Sequence, residues 1–435
     1  MPSERFVALG LAQARSGWFS ELARWSTSAM VPVEFVKCVT VDEVRARLAS
    51  GRAFSALLID SGAPGVDRDL IDDSRACGCA VIVVDDGRHR RDWTSLGASA
   101  VLPATLTRSE LLEALDAHAV AISRRDVLPT ATSPPLGTWR GQLVAVLGAG
   151  GVGSSTIAIA LAQGLGSDVR LGGLVLLADL GLDADHAMLH DVGDVMPGVQ
   201  ELVEAYRNGE PSSAEVRALT FSAGERPYDL LLGLRRHRDW VTVRPRAFDA
   251  ALDGIRRVYK AVVADVDADL EGETQCGSLD VEERNLFARA VTAHADVAVV
   301  VGLPTPKGVH RLVRAVDALL EHGVDAARVV PLVNRAPRSP RARAELTSAY
   351  AELVGSRTAT ARSIAGPVFV PDRRHLDDII ETGKRLPTAL TAPVTSAVQA
   401  VLDRVDERHE LVVSSHEPVA VAPGSLGSWI EDDDG

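Results

Sequence analysis

A glycine-rich turn between a buried strand and a helix constrains this chain more than any other feature. Residues 148–156 read Gly-Ala-Gly-Gly-Val-Gly-Ser-Ser-Thr, between the apolar run Gln142–Leu147 and a helical segment at Ser155–Gln163. Glycines let the backbone curl so that successive N–H groups and the start of the helix point at one anion. A strand, a G-x-x-x-x-G loop and a helix, in that order, are the context of a phosphate-binding loop. The turn therefore predicts a P-loop α/β domain.

The residues predicted to hold the phosphates are small and uncharged. They are the loop glycines and the two serines that follow, namely Gly148, Gly150, Gly151, Gly153, Ser154 and Ser155. Backbone N–H groups and hydroxyls donate hydrogen bonds to phosphate oxygens but do not neutralise them. Ser154 stands where a phosphate-binding loop has lysine, and none of the chain's lysines lies in the loop. The alternative is a glycine-rich strand-to-helix turn in another nucleotide-binding fold.

The length of 435 residues indicates two folded units with flanking segments, because domains usually comprise about 100 to 200 residues. We expect a first domain at 1–124, a linker at 125–140, a phosphate-loop domain at 141–408 and a disordered acidic tail at 409–435. The linker carries turn and breaker residues without periodicity. The tail loses the apolar pattern and ends in a run of acids.

Short apolar runs alternate with amphipathic stretches in both units, which predicts mostly parallel sheets with helices on both faces. The first unit matches a flavodoxin-type domain, with expected helices at Gly17–Ser26, Val41–Leu48 and Ser109–Val120. Expected strands of the second unit are Gln142–Leu147, Gly173–Asp179, Ala261–Asp265, Val297–Gly302, Val329–Asn334 and Val368–Val370. Its expected helices include Ser155–Gln163, Phe248–Tyr259, Val281–Ala295 and Val309–Glu321.

The loop resembles that of the deviant Walker A ATPases of the MinD/ParA superfamily, which reads K-G-G-x-G-K-[ST]. The resemblance is greatest to the CpaE/TadZ-like branch, in which a small residue often replaces the second lysine, here Ser154. Ala149 replaces the first lysine as well. In active relatives that lysine reaches across a dimer to the partner's nucleotide, so its loss implies weak or absent ATP hydrolysis.

Later strand ends resemble the same family in order and spacing. Asp179 resembles the first acid of the D-x-D switch strand, and Gly181 replaces the second acid here. Asp265 resembles the Walker B aspartate, and the resemblance implies that Asp265 and Ser155 would hold Mg²⁺. Asn334 resembles the asparagine that would hydrogen-bond adenine. The implied cofactor is ATP or ADP with Mg²⁺, or none, with Asp179 and Asp265 as vestigial acids and no residue assigned as catalytic.

The first unit resembles the receiver-like domain that precedes the ATPase in this branch. Residues 57–65 match the receiver pattern D-x-x-x-P-G, which places Asp60 at the phosphoacceptor position. The first strand lacks the acidic pair that binds magnesium in a phosphorylatable receiver, and Leu102 stands where the family has lysine. The resemblance therefore implies a pseudo-receiver in which Asp60 is not phosphorylated.

Composition disfavours several other functions. A net charge of −13 repels nucleic acid, so we do not expect DNA as a partner despite the arginines at 335–343. Cys77 and Cys79 have the wrong spacing for a zinc knuckle or a redox pair. The longest apolar run, Val297–Leu303, is too short to cross a bilayer, and the acidic segment 396–411 is unsuited to anionic lipid. We expect a cytoplasmic protein without membrane insertion.

These features favour a CpaE/TadZ-like localisation or scaffolding protein for a pilus, secretion or septum-site machine. We expect a homodimer that binds protein components of the machine and is recruited through them to a pole or septum. The alternative is an active ParA/MinD-type ATPase switch that dimerises on ATP, uses a cation such as Arg335 and binds DNA without sequence preference. Trp429 and Ile430, followed by four acids, are a candidate docking peptide.

Overall fold

The computed structural model describes residues 6–13, 16–28, 30–49, 52–88, 91–122, 139–355 and 364–414, with side chains to residue 405. Most of the expected linker and the tail from residue 415 lie outside these ranges. The described residues form two separate sheets of five and eight strands.

The first sheet is parallel throughout, with strand order β2-β1-β3-β4-β5. This order is that of flavodoxin-type sheets. Its elements are β1 Phe6–Leu11, α1 Gly17–Thr27, β2 Val33–Cys38, α2 Val41–Leu48, β3 Ala56–Asp60, α3 Arg68–Ala76, β4 Ala80–Asp85, β5 Ala100–Pro103 and α4 Arg108–His118. One core lies between the sheet and helices α1 and α4, and the other lies between the sheet and helices α2 and α3.

The second sheet has the order β13-β12-β11-β6-β10-β7-β9-β8 and is parallel except for the β8–β9 pair. Its first half comprises β6 Gln142–Gly148, α5 Ser154–Gly166, β7 Val175–Leu180, α6 His186–Leu189, α7 Val199–Asn208, α8 Ser213–Ala218, β8 Phe221–Ser222, β9 Asp229–Leu231, α9 Pro245–Val258 and β10 Ala261–Val266. Its second half comprises α10 Glu273–Cys276, α11 Leu279–Arg284, α12 Leu286–His294, β11 Val297–Gly302, α13 Pro306–Glu321, β12 Val329–Ala336, α14 Pro340–Gly355, β13 Val368–Pro371, α15 Leu376–Glu381 and α16 Thr388–Ser414.

Side chains of β6 alternate between two cores, as the period of a strand requires. Leu143 and Leu147 face the core formed with α7, α9, α12, α13 and α14, whereas Val144 and Val146 face the core formed with α5 and α16. Strand β6 lies between β10 and β11. After β6, the chain first adds strands toward one edge of the sheet, and later it adds β11 and the following strands toward the other edge. The carboxyl end of β6 therefore lies at a switch point, where open α/β sheets bind ligands.

Helix α3 of the first sheet packs on α7 and α9 of the second. Arg68 donates from Nε to the carbonyl oxygen of Tyr206 at 2.9 Å. In the other direction, Arg207 donates from Nε to the carboxylate of Asp67 at 3.1 Å. The two units are therefore joined by charged side chains that each reach across to the other unit.

One expectation about a helix is wrong. The helix expected at Val281–Ala295 is interrupted at Asn285, which is buried and donates from Nδ2 to the carbonyl oxygen of Glu271 at 2.9 Å. The last helix of the described residues, α16, ends at Ser414. Among the described residues, no helix combines the length and apolar character needed to cross a bilayer.

Candidate functional site

The glycine-rich loop joins β6 to α5 at the carboxyl edge of the second sheet. Gly151 and Gly153 have φ angles of 80° and 86°, in the left-handed region that glycine adopts without strain. Gly153 precedes the helix and provides no side-chain cap. The first N–H groups of α5 therefore lack a side-chain acceptor, and a phosphate group can accept from them.

Two loop glycines are also required by close packing. A Cβ atom on Gly148 would lie 2.7 Å from the carbonyl oxygen of Val301, and one on Gly153 would lie 2.6 Å from Nδ2 of Asn334. Both distances are too short for real contacts. The loop shape is thus fixed by its neighbours on β11 and β12.

Asn334 contacts the loop itself. Its Nδ2 donates to the carbonyl oxygen of Val152 at 2.9 Å, and its Oδ1 accepts from the backbone N–H of Arg335 at 2.8 Å. The side chain is 6% exposed. Asn334 therefore holds the loop in shape. Its expected contact with adenine stays a prediction, and only the second hydrogen of its amide group and the second lone pair of its Oδ1 are left to make that contact.

Two arginines lie beside the loop where its lysines are missing. A cavity of about 580 Å³ is lined by Ala149 and Gly150 on one side and by Arg311 and Arg314 of α13 on the other. Arg335, a candidate cation for the alternative ATPase switch, lines a different cleft. Three acids, Asp269, Glu271 and Glu321, line the same cavity.

The acids at the ends of β7 and β10 are joined by a histidine that sequence reasoning missed. His186, at the start of α6, donates its backbone N–H to Oδ2 of Asp179 at 2.9 Å. Its ring Nε2 lies 3.0 Å from Oδ2 of Asp265. His186 is fully buried, and Asp179 and Asp265 are 2% and 7% exposed. The imidazole thus occupies the space against Asp265 in which a cation would bind.

Burial and charge shift the pKa values of this cluster. Burial raises the pKa of Asp179 to about 6, although His186 opposes the shift. Burial alone would lower the pKa of His186, but the carboxylates of Asp179 and Asp265 outweigh it and raise that pKa. Burial lowers the pKa of neighbouring His190 to about 3, and the charge of His186 adds to this effect. The cluster therefore favours protonated His186 beside neutral His190.

His190 extends the cluster away from the acids. As a neutral ring it donates from Nδ1 to the carbonyl oxygen of His186 at 2.9 Å and accepts at Nε2 from the Tyr228 hydroxyl at 2.9 Å. These bonds anchor α6 against the sheet. Nδ1 of His186 has no hydrogen-bond partner among the described residues.

A magnesium ion does not fit this arrangement. The ion would need oxygen ligands from Asp265 and Ser155, in octahedral geometry. The Asp265 oxygen that faces the cluster already contacts the His186 ring at 3.0 Å, which leaves no room for a metal ion against that oxygen. Asp267, the next acid along, accepts from the backbone N–H of Leu182 at 2.8 Å. The residues present fit a phosphate at the loop but not the metal that normally accompanies it.

Asp60 of the first sheet is engaged by its neighbours. Its Oδ2 accepts from the hydroxyl of Ser16 at 2.8 Å and from the indole Nε1 of Trp18 at 2.9 Å. Its Oδ1 accepts from the backbone N–H of Gly62 at 2.9 Å. An aspartate with both oxygens occupied in this way holds α1 to β3.

Comparisons with known proteins return structures alone. No protein-family model and no curated protein matches the chain. A ParA family ATPase from Chlorobium tepidum TLS is 15% identical over 61% of this chain and 98% of that chain, with a TM-score of 0.44. The septum site-determining protein MinD from Pyrococcus horikoshii OT3, complexed with Mg-ADP, is 15% identical over 64% and 99%, with a TM-score of 0.41. A Borrelia burgdorferi B31 plasmid partition protein bound to AMPPNP is 13% identical over 62% and 100%, with a TM-score of 0.42.

Proposed function

We propose that this chain is a MinD/ParA-type P-loop protein of the CpaE/TadZ-like kind that acts as a localisation or scaffolding protein with weak or no ATP hydrolysis. In this proposal, residues 1–124 are a pseudo-receiver domain and residues 141–408 are the phosphate-loop domain. The protein is a homodimer that binds components of a pilus, secretion or septum-site machine. It reaches a pole or septum through those components.

The contact between His186 and Asp265 carries the proposal. Phosphoryl transfer needs Mg²⁺ to bridge the phosphate oxygens and a lysine to neutralise them. The 3.0 Å contact places the His186 ring on the expected metal ligand, and Ala149 and Ser154 replace both lysines. Each change alone weakens hydrolysis. Together they leave a loop that can hold an anion without the charges that stabilise the transition state.

The satisfied state of Asp60 supports the pseudo-receiver. A phosphoacceptor must present a free carboxylate oxygen and a nearby magnesium site. Here Ser16 and Trp18 donate to the same oxygen of Asp60. The first domain then offers a surface to other proteins instead of a switch.

The second candidate function is an active ATP-dependent switch. The observation that favours it is the position of Arg311 and Arg314, which line the cavity beside Ala149 and Gly150. A guanidinium group can replace the charge of a lysine on a phosphate. The switch would still need His186 to leave Asp265 before a metal could bind.

A fluorescent fusion of the full chain tests the proposal in its host cells. We expect a focus at a fixed cell site that persists when Ser154 and Ser155 are both changed to alanine, because the scaffold does not depend on nucleotide. Loss of the focus in this variant, at unchanged protein level, would support the switch. A diffuse signal from the wild-type fusion would contradict localisation altogether.

A further inference from the structure

An apolar groove opens between α13 and α14 on the face of the second sheet opposite α16. Its volume is about 710 Å³, and its apolar lining is provided by Pro306, Val309, Ala342, Leu346, Ala349 and Leu353. Leu346 and Leu353 are only partly buried against the core. The groove therefore presents apolar surface that a short apolar segment could cover.

The groove continues into a cleft lined by four arginines. These are Arg335 near the end of β12, Arg338 after β12, and Arg373 and Arg374 after β13. All four are exposed, and within the described part of the chain none of their guanidinium groups has an ion-pair or hydrogen-bond partner. Groove and cleft share Pro304 and Pro337, so they form one continuous surface.

Such a surface suits a peptide with apolar residues followed by acids. Four arginines and one acid, Asp372, give the cleft a net positive charge in a chain whose net charge is −13. Charge complementarity fixes the register of a bound segment, and apolar anchors in a pocket supply most of the affinity. One end of the ligand must therefore be apolar and the other acidic.

The chain itself contains such a segment in the residues that follow α16. Residues 424–434 read Gly-Ser-Leu-Gly-Ser-Trp-Ile-Glu-Asp-Asp-Asp, with Leu426, Trp429 and Ile430 preceding four acids. We propose that the groove and the arginine cleft bind residues 424–434 of a second copy of this chain. Trp429 and Ile430 enter the groove, and the four acids lie against the four arginines.

The path of α16 favours a second copy over the chain's own tail. Near its start, Gln163 bonds the backbone of Leu386, and further along Gln399 bonds Asp168, so α16 runs beside α5 and away from the carboxyl edge of the sheet. Its 27 residues span about 40 Å. The segment from Ser414 to Trp429 reaches at most about 50 Å when fully extended. To reach the groove of its own chain, the tail would have to run back along the length of α16 and then cross the sheet, which uses most of that reach.

Two acids in the groove fix the direction of the bound segment. Glu345 and Glu352 line the apolar part, and Glu345 is paired with Arg341 at 3.1 Å. They disfavour the acidic end there and leave it to the arginine cleft. The uncharged residues before Trp429 meet no like charge in the groove.

Binding of this kind joins copies head to tail. The tail and the groove are different surfaces, so the contact is heterologous and a joined pair of copies retains one free groove and one free tail. This deepens the proposed scaffolding function, since an open chain of copies presents repeated docking surfaces. It does not depend on the state of the nucleotide site.

Charge reversal in the full chain tests the proposal by light-scattering mass at rising concentration without nucleotide. We expect the wild-type mass to rise with concentration. Changing Arg373 and Arg374 to glutamate, or Asp432 and Asp433 to arginine, should weaken association at least about tenfold. An equimolar mixture of the two variants should associate again, because the unchanged tail of the first fits the unchanged cleft of the second and their two reversed surfaces also fit each other. Combining all four changes in one chain should restore self-association.

Matched controls separate this contact from general charge effects. Changing Arg236 and Arg238 to glutamate alters net charge equally outside the cleft and should leave association unchanged. Trp429→Ala should weaken association, whereas Trp139→Ala, at a tryptophan exposed in the second unit, should not. A wild-type mass independent of concentration overturns the proposal, and so does equal weakening by the control pair. Neither result bears on ATP binding, so failure here is distinct from failure of the proposed function.

Discussion

At the scale of single residues, His186 compensates two buried carboxylates that would otherwise repel each other. It contacts Asp179 through its backbone and Asp265 through its ring. Removing one partner of a buried charged cluster leaves uncompensated charge and costs about 3 to 5 kcal/mol. We therefore expect His186→Ala to lower the free energy of unfolding by about 3 kcal/mol or more, as measured by urea denaturation at pH 7.

His237→Ala is the matched control, because His237 also pairs with an aspartate, Asp183 at 2.9 Å, but on the surface. Its effect should stay within about 0.5 kcal/mol. In His186→Ala alone, added Mg²⁺ should raise the melting temperature, since ligand bound only to the folded state stabilises it. Equal stability losses in the two variants would show that His186 is not a structural counter-ion.

Asp60 should resist phosphorylation because both of its oxygens accept hydrogen bonds in the folded domain. We expect incubation with acetyl phosphate and Mg²⁺ to leave the intact mass unchanged. Beryllofluoride, which mimics the phosphoryl group, should likewise leave the fluorescence of Trp18 and the other tryptophans unaltered. A mass increase of one phosphoryl group that disappears in Asp60→Asn would establish a working receiver.

The sequence predicts the roles of some single residues but not of others. The loop glycines are predictable because their spacing has a backbone cause. His186 was missed because nothing near it in sequence marks its partner Asp265, and a lone histidine carries no periodic signal. The available signal was its position seven residues after Asp179, in the segment that follows β7.

At the scale of elements, close packing of α5 on α16 depends on Gly164. A Cβ atom there would collide with the hydroxyl of Thr395 and lie 3.0 Å from Thr395 Cβ. Overpacking of this kind costs about 1 to 3 kcal/mol. We expect Gly164→Ala to lower the free energy of unfolding by that amount, measured by urea denaturation.

Gly150→Ala is the control for this prediction, because nothing lies within 4 Å of a Cβ at that loop position. Its effect should be within about 0.5 kcal/mol. A Gly164→Ala protein as stable as wild type would mean that α16 shifts freely on α5. That result would remove the basis for treating α16 as a fixed part of the core.

Strands were more predictable than helices in this chain. Strands such as Val297–Gly302 are buried on both faces. They therefore appear in the sequence as continuous apolar runs, whichever elements pack against them. Helices α3, α7 and α14 were not identified, and β8 and β9 are too short for a periodic signal. The break at Asn285 depends on a bond to Glu271 that no local pattern indicates.

At the scale of the whole molecule, the contact between the helices of the two sheets includes a buried carboxylate with an oxygen left unpaired in the described part of the chain. Asp69 of α3 accepts from the backbone N–H of Arg246 at 3.0 Å, while its other oxygen has no partner among the described residues. Burial raises its pKa above the ordinary value of 3.8. The folded protein therefore binds the proton more tightly than the unfolded chain does, and stability is lost as pH rises through this folded pKa.

Asp69→Asn keeps the acceptor for Arg246 but removes the charge. We expect the variant to be more stable than wild type at pH 7, with the difference shrinking as pH falls toward 4, measured by urea denaturation across that range. Asp73→Asn, on the exposed side of the same helix, should show no such gain. A gain independent of pH would assign the effect to something other than ionisation.

Mostly parallel α/β architecture was predictable because strands and helices alternate along the chain, and the described second sheet confirms it. The docking of α3 on α7 and α9 was not. It depends on bonds such as Arg68 to Tyr206, whose partners are far apart in sequence and lie on ordinary polar surfaces. Contacts of that kind leave no periodic trace.

Calorimetric titration of the full chain with ATP, with and without Mg²⁺, tests the central claim that the loop can hold phosphate but not its metal. Light-scattering mass at one protein concentration should be recorded in parallel. We expect weak or undetectable binding at millimolar ATP, no gain from Mg²⁺ and the same mass with and without nucleotide. Tight binding that requires Mg²⁺ and shifts the mass would contradict the claim and identify an active switch.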